Sequence, residues 1–101
     1  MKMNADLAKR CRNVIVRYAG IAITEAQFEE LMNENPDLEK GLIEFDSPSD
    51  TADREWMIER LAIKIVGRPW PCYGDGREVA QKFYEDLERM GREQGYTFVG
   101  D

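Results

Sequence analysis

A chain of 101 residues with 43% apolar and 34% charged side chains, a net charge of −6 and no histidine has room for one domain around one core. The missing histidine removes the commonest general acid or base and the usual activator of serine and cysteine nucleophiles, and two isolated cysteines cannot supply the four ligands of a structural zinc site. No apolar run approaches the roughly 20 residues that cross a bilayer.

Met1-Lys2-Met3 leads into a polar amphipathic pattern with no hydrophobic leader, so cytoplasmic residence is the expectation. The first helix is read from about Asn4, its cap, to Tyr18, with Leu7, Cys11, Val14 and Tyr18 as the inner stripe and Ile15 widening it. Lys2, Lys9, Arg10, Arg12 and Arg17 make its other side basic. Ala19-Gly20 ends it, and Ile21-Ala22-Ile23 is an apolar connector. Thr24-Glu25-Ala26-Gln27 is a capping box, and Phe28, Leu31 and Met32 form the buried edge of the second helix. Pro36 stops that helix. Asn35-Pro36 reads as cap and first position of a third helix, with Leu38, Leu42 and Phe45 inward and Gly41 weakening its middle.

Residues 46–51 form a turn cluster and the best candidate for a mobile loop, rich in possible caps for a fourth helix. That helix runs to about Val66, with Trp56, Leu61 and Ile65 in the core and Met57, Ile58 and Ala62 broadening its apolar surface. A surplus apolar face of this kind is one that a homodimer buries. Gly67 is the expected left-handed stop. Gly67–Gly76 is then stiffened by Pro69 and Pro71, and Trp70 and Tyr73 either plug the core or stand out as anchors. Asp75 with Glu78 suggests the cap of a fifth helix carrying Val79, Phe83, Leu87 and Met90 inward. Gly91 and Gly95 frame a fraying end, and Tyr96-Thr97-Phe98-Val99 is a β-prone tail expected to pack on the bundle without a partner strand. Both cysteines, Cys11 and Cys72, are expected to be packed. The expected fold is all-α, a single domain over residues 1–101 with about five short helices and a short extended tail.

Charge is segregated. Residues 1–18 carry a net +4, residues 19–59 a net −10, and the rest is neutral. An acidic face is a poor surface for phosphate and a good one for basic proteins, including those that themselves bind nucleic acid. The candidate partner-binding residues are Glu25, Glu29, Glu30, Glu34, Asp37 and Glu39, with Glu44 and Asp46 beside them and Trp70 and Tyr73 as anchors. The alternative uses Lys9, Arg10, Arg12 and Arg17 on nucleic acid, unless these cations lie against the acidic middle of the same chain. Residues 46–53 lack the ligand spacing, glycine and terminal glutamate of an EF-hand. No metal, cofactor or catalytic residue is expected.

With its Gly67-Arg68-Pro69-Trp70-Pro71-Cys72-Tyr73-Gly74-Asp75 segment followed by an amphipathic helix, the chain resembles the small acidic accessory proteins of phages and prophages. The resemblance implies a non-catalytic protein that binds and disables a host protein, as anti-CRISPR and anti-restriction proteins do. It carries no functional residue over.

Overall fold

The computed structural model describes residues 3–46 and 51–101; of residues 51–55 and of Tyr73 only the backbone is described. Asn4 sits in extended conformation and its Oδ1 accepts from the Leu7 amide at 2.8 Å, which starts α1 (Ala5–Ala19). Gly20, at φ 68°, takes the left-handed turn that ends it, its amide donating to the Val16 carbonyl. Leu7, Ala8, Cys11 and Ile15 are buried. Ala8 and Ile15 pull the core face to one side of the expected stripe, so Val14 is half-buried at its edge and Tyr18, in the last turn, is exposed.

α2 (Glu25–Glu34) opens on the expected capping box: Thr24 Oγ1 accepts from Gln27 N at 3.1 Å and Gln27 Oε1 accepts from Thr24 N at 3.0 Å. It buries Phe28, Leu31 and Met32. Pro36 begins α3 (Pro36–Phe45), which stays helical through Gly41 and buries Leu38 and Leu42. Two expectations fail here. Asn35 makes no side-chain cap to α3; its Nδ2 donates back to the Leu31 carbonyl and its Oδ1 accepts from Arg60. Phe45 is 67% exposed, because it ends the helix beyond the Leu38–Leu42 contact with the core.

In α4 (Thr51–Val66) the row Met57, Leu61, Ile65, with Ala62 and Val66, takes the core. Trp56 does not join it: one residue off that row, it is 39% exposed with the Arg60 guanidinium 5.0 Å from its ring centroid. The expected mobile loop and the caps it offers α4 fall on residues 47–50, outside the described residues.

α5 (Arg77–Glu93) buries Phe83, Asp86, Leu87 and Gly91. It runs in the same general direction as α4. Glu59 of α4 shares a cleft with Val79 near the start of α5, whereas Gln94 just past the end of α5 donates to the carbonyl of Ile65 at 2.8 Å. The Gly67–Gly76 connection therefore has to travel back along both helices, which explains its length and its extended, proline-stiffened character. Gly76 precedes α5 without a side-chain cap. Asp75 caps a single 3₁₀ turn, Tyr73–Asp75, instead, its Oδ2 accepting from Cys72 N at 2.7 Å.

The tail finds the partner the sequence reading denied it. Ala22 N donates to Thr97 O at 2.8 Å and Val99 N to Gly20 O at 2.9 Å, closing an antiparallel bridge between Ile21 and Phe98. Tyr96 and Phe98 are buried by this return, and Gly91, expected to fray, lies beneath the Phe98 ring. The buried apolar residues of all five helices, the connector and the tail form one cluster, and no extended strand occurs among the described residues.

Candidate interaction surfaces

The α2–α3 face carries eight acids and one base between Glu25 and Asp46. Cations from α1 and α4 reach its borders. Lys64 Nζ lies 2.7 Å from Glu34 and 3.3 Å from Glu30. Burial opposes its charge, but the hydrogen bonds it donates to Glu34 and Glu30 outweigh it and raise the lysine above its ordinary range. Burial also raises the neighbouring Tyr96 phenol. Arg60 grips Asp37 with both terminal nitrogens, at 2.8 and 3.3 Å, and that hydrogen bonding lowers the Asp37 carboxyl. Arg12 approaches Glu25 at 3.6 Å. The structure thus separates the candidate acids. Glu30, Glu34 and Asp37 fasten α2 and α3 to α4, while Glu25, Glu29 and Glu44 line the exposed side. Glu39 is half-buried with one carboxylate oxygen lacking a hydrogen-bond partner.

On α1, Arg10 pairs with Asp6 at 3.0 Å and reaches Asp46 at 3.6 Å, and Arg17 lies over its neighbour Tyr18. Two of the four candidate nucleic-acid contacts, Arg10 and Arg12, are therefore turned to the chain's own acids. Lys9 and Arg17 are exposed.

The aromatic loop is docked from inside and open outside. Trp70 is half-buried, its ring 5.0 Å from Phe83 and 5.6 Å from Tyr84, within the range of favourable aromatic contact. The Tyr73 side chain lies outside the described residues. Cys11 is buried as expected, but Cys72 is exposed, because the 3₁₀ turn carries it past the core. Behind Trp70, Arg68 spans the Phe83 ring and donates to Asp86 at 2.7 Å. Asp86 also accepts from Arg89 at 3.1 Å and lies 3.3 Å from Lys82.

These cations, Arg68 foremost, hold the buried Asp86 carboxyl down at about 2. Its ordinary value is about 3.9, so the stabilisation is present above that pH and is lost as pH falls toward 2. Asp86→Asn is expected to lower stability at neutral pH and to flatten the pH dependence between about 4 and 2. Thermal melts across that range check it; parallel wild-type and variant profiles would refute it.

Sequence reasoning missed Arg60, Lys64, Arg68 and Asp86. The signals were present: Lys64 interrupts the apolar end of α4, and Asp86 sits between Phe83 and Leu87 with Lys82 and Arg89 four before and three after it. Among the described residues no cluster of three or more His, Cys, Asp or Glu is placed to hold a metal, and no helix is long and apolar enough to cross a membrane.

Among the described residues the chain is all-helical, five helices around one core with an acidic flank and a docked aromatic crossover loop. No protein-family model, curated protein or solved structure matches the chain.

Proposed function

We propose that the chain is a non-catalytic protein-binding factor of the phage or prophage type, which docks its α2–α3 face on a basic surface of a host nucleic-acid-handling complex and inhibits it. The observation that carries this reading is the distribution of charge on that face. Against its eight acids the face has the single base Lys40, the cations of α1 and α4 sit at its borders, and Glu25, Glu29 and Glu44 are exposed. Long-range attraction of this kind steers encounter with a positive partner. Direct nucleic-acid binding through α1 has less support, since Arg10 and Arg12 already face carboxylates.

The test is capture from bacterial lysate with the wild type and with a Glu25→Lys, Glu29→Lys, Glu44→Lys variant, which leaves the Lys64 and Arg60 pairs intact. Selective loss of one basic, nucleic-acid-handling complex is expected, followed by inhibition of that complex by the purified wild type. Its association rate should fall with added salt, and charge reversal should lower it about tenfold or more at low ionic strength. Equal capture and equal rates would remove the acidic face.

A further inference from the structure

The outer side of the Trp70 loop borders a cleft of about 270 Å³ between the loop, Glu59 of α4 and Val79 of α5, with Phe83 at its base. Small-molecule sites run from roughly 300 to 1,000 Å³, so this one is scaled to a single side chain. Its walls are apolar and aromatic: Trp70, Val79 and the two flanking prolines. Its charged rim is Glu59, Asp75 and Arg68. Arg68 is already held by Asp86, and Lys82 and Arg89 turn to that same carboxylate. Asp75 spends one oxygen on the Cys72 amide, and Glu59 forms no ion pair with a described residue. The rim itself carries two carboxylates against one guanidinium.

We propose that this cleft receives an arginine side chain of the protein partner, with its guanidinium against Trp70 and its charge met by Glu59 and Asp75. Tryptophan is the best aromatic surface for a cation, and the planar guanidinium stacks where an ammonium does not. The inference rests on the proposed function for the class of partner, a basic protein, and adds a second contact on a different face.

The probe is a capped Gly-Arg-Gly peptide titrated into the full chain, read by ¹H–¹⁵N NMR at the Trp70 indole and the Cys72 and Asp75 amides. A Trp56→Phe variant assigns the indole signal. The arginine peptide is expected to shift these signals saturably, the lysine analogue less, and the uncharged citrulline analogue not at all. Glu59→Gln should weaken the arginine response about threefold, as for an exposed ion pair, and its spectrum reports directly that it is folded. A Trp70 indole unmoved by arginine, or moved equally by citrulline, overturns the proposal. Repeating the titration on the Glu25, Glu29, Glu44 reversal separates the two ideas. Persistence of the Trp70 shift supports the cleft whatever the lysate capture shows; shifts confined to α2 and α3 in the wild type overturn the cleft and leave the acidic face standing.

Discussion

Phe83→Ala is expected to lower stability by about 3–5 kcal/mol, the range for removing a buried phenylalanine. The size follows from how much rests on one ring. Phe83 is 1% exposed, Trp70 packs 5.0 Å from it, Tyr84 lies 5.8 Å away, and Arg68 spans it on the way to Asp86. A neighbouring side chain that moved in to fill the space would reduce the loss, but Trp70 is fixed between Pro69 and Pro71 and cannot follow freely. The cavity therefore persists, and the crossover loop loses its anchor. Urea unfolding measures the first effect and a red shift of Trp70 emission, in a Trp56→Phe background, the second. A loss below about 1 kcal/mol with unchanged emission would mean that the loop does not depend on this ring.

That dependence bears on what the sequence could reveal. Local signals were strong where one short motif decides the outcome: the Thr24–Gln27 capping box, the Asn4 cap, the Gly20 stop and Pro36 at the start of α3 all stand where they were read. The five helices and the all-α class follow from these and from apolar spacing. Errors arose where tertiary position overrides type. Phe45, Trp56 and Val79 are all apolar, yet Trp56 lies one residue off the row that meets the core, Phe45 ends α3 beyond the Leu38–Leu42 contact, and Val79, 51% exposed, stands in the first turn of α5 beside an open cleft. Asp75 looked like a helix cap and instead closes the 3₁₀ turn one step earlier, because the crossover loop must bend before α5 begins.

The candidate surfaces were legible as charge but not as pairing. Counting acids located the α2–α3 face. It could not tell Glu34 and Asp37, which α4 claims through Lys64 and Arg60, from Glu29 and Glu44 on the outer side. Those partners are 30 and 23 residues apart in the chain. The tail packs on the bundle as expected, but its pairing is invisible in the sequence: the apolar Ile21-Ala22-Ile23 connector and the β-prone Tyr96-Thr97-Phe98-Val99 tail are brought together only by the fold.

The bridge between them sets up a contest at Gly91. Alanine is favoured over glycine in a helix interior by about 1 kcal/mol, so Gly91→Ala in the middle of the last two turns of α5 would ordinarily stabilise. Here a Cβ would stand 2.8 Å from Phe98 Cζ and 3.0 Å from Cε2, with Ile65 behind it at 3.8 Å. Overpacking of this kind costs about 1–3 kcal/mol unless the neighbour can give way. Phe98 is poorly placed to do so. Its amide donates to Asp101 at 2.9 Å, the Arg92 guanidinium lies 5.0 Å from its ring centroid, and the residues on either side of it are bonded to Ala22 and Gly20. The steric term should win, giving a net loss of up to about 2 kcal/mol and faster hydrogen exchange at the Ala22 and Val99 amides as the tail lifts. A Phe98→Leu background removes the ring tip and reverses the balance, so that Gly91→Ala becomes neutral or stabilising there. The double-mutant cycle thus carries a sign change, and an equal loss from Gly91→Ala in both backgrounds would show that the tail does not lie against the helix at this point.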